Sequence, residues 1–230
     1  MAGELGGPAG LSPDGSWILY WQVPGRAGTT PPSSARLIRQ AVAGGPQETV
    51  LEFPYSEAPW TAFACPPKPG NSCVLSRPEG NSLLFFALDP VRGKGDLFSK
   101  IEFDKDKEGP FFWAISPDGS QLAMVDHNSH KDRIEILSLA NRTWREITVD
   151  PGWGDYQTIA WAADGKGFFL TTSSTESFNL IHVTLSGKVQ VLLNSARRQP
   201  MFLPLPSTDG KYLAFQAMTV DSNVWLLENF

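Results

Sequence analysis

An all-β propeller of about five four-stranded antiparallel blades is predicted by three features of the 230-residue sequence. These are a recurring Asp-Gly turn, the even spacing of its copies, and a short apolar run of strand-forming residues after each copy. Ser12-Pro13-Asp14-Gly15 and Ser116-Pro117-Asp118-Gly119 are identical, and Ala162-Ala163-Asp164-Gly165 and Ser207-Thr208-Asp209-Gly210 are looser copies. The glycines at 119, 165 and 210 are 46 and 45 residues apart. Gly15 and Gly119 are separated by 104 residues, room for two units and a long loop, so one degenerate unit lies between them. The runs behind the turns are Trp17-Ile18-Leu19-Tyr20-Trp21, Leu122-Ala123-Met124-Val125, Phe168-Phe169-Leu170 and Tyr212-Leu213-Ala214-Phe215.

The best-preserved unit predicts strands at 111–116, 121–126, 133–139 and 143–149. Asp118-Gly119 supplies its first turn, because Asp accepts hydrogen bonds from nearby backbone and Gly takes positive φ without steric cost. Asn141 marks its last hairpin, as Ser186-Gly187 does in the next unit. The degenerate unit offers Thr61-Ala62-Phe63-Ala64, Cys73-Val74-Leu75-Ser76, the run Leu83 to Leu88, and a fourth strand from Leu97 to Phe103. Blades are expected at 8–52, 53–104, 105–150, 151–195 and 196–230, in one domain. With 21 glycines and 19 prolines the chain is rich in turns, and no helix is expected.

Charge and hydropathy narrow the function. A net charge of −5 and a pI near 5.2 argue against nucleic acid as a partner of this domain. No apolar run reaches the roughly 18 residues of a membrane span, so direct membrane insertion is not expected.

The repeats resemble the TolB-like, also called WD-repeat-like, β-propellers, whose blades carry the Ser-Pro-Asp-Gly motif. The Trp-Asp ending of true WD repeats is absent. The segment Leu88 to Gly95 and the ending Asp221 to Phe230 look like the C-terminal propeller regions of large bacterial proteins. Such propellers follow a serine/threonine kinase or a winged-helix domain, so the resemblance implies either one in the same parent chain. It carries over architecture only, with no functional residue. The last blade shows strands near 201–205, 211–217 and 223–227 and then stops. Its outer strand must come from elsewhere, and 1–10 is a poor strand with four glycines and one proline. Two readings follow: the chain is the C-terminal part of a longer protein that closes with further blades, or the last blade stays three-stranded with an exposed edge.

Chemistry is sparse. No Gly-x-Ser-x-Gly nucleophile elbow is present, which removes the serine-hydrolase reading. The aspartates 14, 118, 164 and 209 each precede a turn glycine and read as turn formers. Asp155, Glu57 and Glu176 stand near strand ends at the opposite rim and carry the alternative reading of a glycoside hydrolase with tunnel carboxylates. His127 and His130 lie in one hairpin loop and His182 in a strand of the next blade, so the three or four ligands of a zinc site do not assemble. No metal and no cofactor are expected.

The only two cysteines, Cys65 and Cys73, flank a Pro/Gly loop between adjacent strands. They are either a disulfide, which implies an oxidising, periplasmic or extracytoplasmic compartment, or two free thiols in a reducing cytoplasm. Trp17, Trp113, Trp161 and Trp225 are expected to fill the spaces between blades. Trp60, Trp153, Asp155 and Tyr156 precede or open the first strand of a blade, and Arg197, Arg198 and Gln199 take the equivalent place before blade five. Together they predict an aromatic and arginine rim around a funnel. The insertion 23–34 opens onto the same face, as a binding loop or as a disordered excursion. The expected function is a non-enzymatic module that binds a protein, peptide or small ligand on that face. It would be a sensor or scaffold of a larger bacterial signalling protein. A structural role in an envelope complex is the third reading.

Overall fold

The computed structural model describes residues 4–5, 9–23, 34–56, 61–67, 72–102, 111–126, 132–150, 152–195 and 201–218. Blade one contains β1 (Glu4–Leu5) and β2 (Gly10–Leu11), both paired with β3 (Trp17–Val23), followed by β4 (Ser34–Ala41) and β5 (Glu48–Pro54). Blade two is β6 (Ala62–Ala64), β7 (Cys73–Glu79), β8 (Ser82–Asp89) and β9 (Gly93–Glu102). Blade three is β10 (Phe111–Ile115), β11 (Gln121–Asp126), β12 (Arg133–Ser138) and β13 (Trp144–Thr148). Blade four is β14 (Asp155–Trp161), β15 (Gly167–Ser173), β16 (Phe178–Thr184) and β17 (Val189–Ser195). Blade five shows β18 (Met201–Pro206) and β19 (Leu213–Ala217), and its third expected strand lies outside the described residues. Every ladder is antiparallel.

Within the N-terminal stretch read as a poor strand, Glu4–Leu5 and Gly10 form part of blade one. Glu4 faces Val23 and Leu5 faces Gln22, so these residues extend the inner edge of that sheet. Among the described residues no helix is long and apolar enough to cross a membrane.

Side chains alternate between the two faces of a strand, and in a propeller both faces meet another blade. The run Leu83-Leu84-Phe85-Phe86 shows the consequence. Leu84 and Phe86 enter a core with Leu19, Trp21, Leu37 and Phe53 of blade one, whereas Leu83 and Phe85 enter a core with Leu122, Met124 and Leu137 of blade three. A third core joins blades three and four through Ile134, Ile136, Trp161, Phe168 and Ile181. Tryptophans stitch these seams as expected of strand aromatics. The Trp113 indole N–H donates to Ser76 Oγ at 2.9 Å between blades two and three. That of Trp161 donates to the Ala114 carbonyl at 3.1 Å between blades three and four. Trp17 packs against the first seam under the Arg39 guanidinium, 4.5 Å from its ring centroid. Trp225 lies outside the described residues.

The Asp-Gly turns share one geometry. Gly15, Gly119, Gly165 and Gly210 have φ of 71°, 72°, 69° and 70°, the left-handed region that a residue with Cβ avoids. These turns join first to second strands, so with the third-to-fourth turns they form one face of the propeller. The second-to-third turns and the links between blades form the other.

Candidate functional site

On the link side of blade four the chain enters through Gly152, Trp153 and Gly154. The two glycines have φ of 103° and 81°, and a Cβ on Gly154 would overlap the Ser173 carbonyl. Trp153 is thereby held between two left-handed turns. It is half-buried against the seam of blades three and four, and its indole Nε1 is buried with no hydrogen-bond partner among the described residues. Asp155 follows as the first residue of β14, half-buried and paired across the ladder with Ser173.

Tyr156 corrects the expectation. It is fully buried among the core residues of the blade three–four seam and forms no part of an exposed rim. Burial, with the Asp132 carboxylate as a second cause, pushes its hydroxyl above the ordinary value of 10.0. The physical reason is local: the ladder slips between Tyr156 and Thr158, leaving Gln157 as the bulged residue. Gln157 Nε2 donates to Ser173 Oγ at 2.8 Å.

The sequence reading missed the polar row behind this entrance. Tyr156 pairs with Thr172, Thr172 with Asn179 and Asn179 with Asn194, so one level of blade four carries two hydroxyls and two amides. Asn194 Nδ2 donates to Asn179 Oδ1 at 2.6 Å, and Asn179 Nδ2 donates to Thr172 Oγ1 at 3.4 Å. Thr172 and Asn179 are buried. The available signal was the polar run Thr171 to Thr175, which ends a strand begun by Phe168-Phe169-Leu170. Trp60, Arg197, Arg198 and Gln199 lie outside the described residues, as do Glu57, His127, His130 and most of the 23–34 insertion. Glu176 is exposed in the turn between β15 and β16, where its backbone N–H donates to Ser174 Oγ.

The opposite face holds the turn carboxylates. The hydroxyls of Ser12, Ser116 and Ser207 donate to Asp14, Asp118 and Asp209 at 2.5, 2.6 and 2.7 Å. Each carboxylate also accepts the backbone N–H two residues on, from Ser16, Ser120 and Lys211. These bonds, the serine hydroxyl foremost, lower the Asp14 pKa from 3.8 to about 2 and also lower those of Asp118 and Asp209. The same serine oxygens accept the N–H of Trp17, Gln121 and Tyr212 at 2.9, 2.9 and 3.0 Å. Such aspartates are committed to turn structure. In blade four Ala162 replaces the serine, and Asp164 accepts the Lys166 N–H at 2.9 Å.

Cys65 and Cys73 are joined in a disulfide with their Cα atoms 4.1 Å apart. Among the described residues no group of three His, Cys, Asp or Glu side chains is placed to hold a metal. A cavity of about 400 Å³ lies between the turns of blades three and four, lined by Asp118, Gln121, Arg145, Trp161 and Asp164. Another, of about 630 Å³, lies against blade two beside Arg77, Leu84, Phe86 and Lys94.

No family model matches the chain, and no curated protein sequence does. Solved structures do match in fold. A TolB candidate from Agrobacterium tumefaciens is 20% identical with a TM-score of 0.66, over 91% of this chain and 69% of that one. TolB from Acinetobacter baumannii is 16% identical with a TM-score of 0.59, over 91% and 53%. The periplasmic gluconolactonase of Pseudomonas aeruginosa is 15% identical with a TM-score of 0.55, over 91% and 64%. The chain thus spans about half to two thirds of the length of these structures. At such identities the likeness is one of fold, and that fold is an all-β propeller of about five blades whose structural neighbours are TolB-like propellers.

Proposed function

We propose that this chain is a non-enzymatic binding module that takes a protein, a peptide or a small ligand at the link-side end of blade four. The observation that carries the reading is Trp153, half-buried on a strand entrance held by two glycines, its indole N–H buried with no partner among the described residues. The amides and hydroxyls of one register row line the same end of that blade. The part of the Trp153 ring left in solvent, set on a rigid sheet, suits packing against a ligand. The link before blade five, with Arg197, Arg198 and Gln199, and the link before blade two, with Trp60, would extend this surface.

The module is proposed to serve as sensor or scaffold in a larger bacterial signalling protein, with a kinase or winged-helix domain in the same parent chain. A periplasmic or extracytoplasmic setting is favoured by the Cys65–Cys73 bridge and by fold likeness to two TolB structures and a periplasmic enzyme. Fold likeness alone does not transfer activity, and the gluconolactonase neighbour makes the enzymatic alternative worth a direct assay.

The test is affinity capture with the immobilised wild-type domain beside a Trp153→Ala, Asp155→Asn variant, together with hydrolysis assays on sugar lactones and aryl glycosides. The expected result is a defined partner or ligand retained by the wild type and lost by the variant, with no turnover by either. Hydrolysis abolished by Asp155→Asn would replace the binding reading with an enzymatic one. Equal retention by wild type and variant would move the binding surface off blade four.

A further inference from the structure

The disulfide occupies a position that recurs in every blade. Where the first strand ends and the second begins, one cross-strand pair closes the hairpin. In blades one, three and five that pair is Ser12–Trp17, Ser116–Gln121 and Ser207–Tyr212, each with a backbone bond from the serine N–H to the partner's carbonyl. The serine oxygen then locks the pair by accepting the partner's N–H. Blade four has Ala162–Gly167, with the backbone bond alone. In blade two the ladder runs Ala62–Ser76, Phe63–Leu75 and Ala64–Val74, so the next pair is Cys65–Cys73. The covalent bridge therefore joins the two positions that a serine hydroxyl joins elsewhere.

Blade two, like blade one with its two-residue β2 and its serine lock, has a short inner strand to hold. Its inner strand β6 is three residues long, against five, seven and six in β10, β14 and β18. The middle residue, Phe63, enters the seam with blade one, edge-on to Trp21 with ring centroids 5.4 Å apart. Its ring also lies under Gly10, where a Cβ would come within 3.3 Å of Phe63 Cε2.

We propose that Cys65–Cys73 is a redox-sensitive fastener: oxidised, it holds β6 and Phe63 in the seam between blades one and two, and reduction by a dithiol releases that strand while the other blades stay folded. Cys65 is half-buried and Cys73 is fully buried beside Leu75 and Leu88. An incoming thiolate therefore attacks Cys65 Sγ, the S–S bond breaks, and its electron pair departs on Cys73 Sγ, which takes a proton. The second thiol of the reductant then attacks the mixed disulfide and frees Cys65. The products are two protein thiols and one oxidised dithiol. The departing charge forms in an apolar seam, which disfavours it. Exchange is thus expected to be slow in the native state and to follow local opening of β6. This inference does not rest on the binding surface proposed on blade four.

The test is amide hydrogen exchange read by mass spectrometry on the 230-residue chain, before and after reduction by dithiothreitol and alkylation. Reduction is expected to speed exchange in β6 and the start of β7 by about tenfold or more, leaving β10, β11, β14 and β15 unchanged. A second chain carries Ser-Pro-Asp-Gly-Ser in place of residues 65–72 together with Cys73→Ala. It is expected to keep β6 protected whatever the reductant, because the serine lock replaces the bridge. Unchanged protection of β6 after reduction would overturn the proposal. So would faster exchange in all blades together, since the bridge would then hold the whole ring.

Discussion

β15 and β19 hold the same place in consecutive blades, each following an Asp-Gly turn, yet they meet opposite environments. In β15 the side chains of Phe168, Leu170, Thr171 and Thr172 are all fully buried. In β19 every residue after Leu213 is exposed, and Phe215 keeps 40% of its surface in solvent. Their composition does not explain this, since both begin with apolar runs. β15 lies between the core shared with blade three and the first strand of blade five. None of the hydrophobic cores among the described residues includes blade five. A blade's hydrophobicity is thus cashed in only by its neighbours, the nearest-neighbour behaviour of repeat proteins.

The sharpest way to break this contrast is to truncate the same residue type in both blades. Leu170→Ala, at 0% exposure, is expected to cost about 2–5 kcal/mol of unfolding free energy in urea titrations, because it leaves a cavity. Leu205→Ala, at 63% exposure, is expected to change it by less than about 0.5 kcal/mol. Similar losses at the two sites would mean that blade five is packed as blade four is.

Next in size is the bridge. Replacing both cysteines by alanine is expected to cost about 2.5 kcal/mol through the loop entropy restored to the unfolded chain, read as a lower urea midpoint. An unchanged midpoint would indicate that the Phe63 seam holds blade two unaided.

The serine locks come third. Ser116→Ala removes an oxygen that both donates to Asp118 and accepts from Gln121, at an expected cost of about 1–2 kcal/mol. The reverse change, Ala162→Ser, should let blade four make the bond to Asp164 and gain about 0.5 kcal/mol. Thermal melts of the two variants should therefore move in opposite directions.

The smallest effect is in acid. A carboxylate held at about 2 instead of 3.8 resists protonation in the folded chain. Its contribution is fully present above the unfolded value and fades as pH falls through about 4 towards 2. Asp118 and Asp209 share the direction. Unfolding midpoints measured at pH 5 and pH 2.5 should converge in a Ser12→Ala, Ser116→Ala, Ser207→Ala variant relative to the wild type. Equal acid sensitivity would place the lost charge interactions outside the turns.

Much of the fold was legible because the Asp-Gly turn leaves a local chemical mark. The strands expected at 111–116, 121–126, 133–139 and 143–149 appear within about a residue, with the Asp118-Gly119 turn and Asn141 marking two of the three hairpins. The Glu4 and Leu5 pairing with β3 was not legible, because a glycine-rich stretch shows no alternation and its partner supplies the order. At the candidate site, the sequence set Trp153 and Asp155 at the entrance to a first strand, where the structure has them. Tyr156 was misjudged because a bulge at Gln157 is invisible in the residue pattern. The Thr172–Asn179–Asn194 row joins residues 22 positions apart in sequence and depends on register, which spacing alone does not set.

The division of Leu83-Leu84-Phe85-Phe86 between two cores has a consequence for how accurately the chain folds. A one-residue slip of β8 would turn Leu84 and Phe86 towards blade three and Leu83 and Phe85 towards blade one, presenting the wrong shapes to both at once. Blades one and three thus inspect the same strand from opposite sides, and a misaligned β8 must satisfy both before it persists. In a sheet with one solvated face, a single neighbour makes that inspection. Here correct alignment is proofread twice.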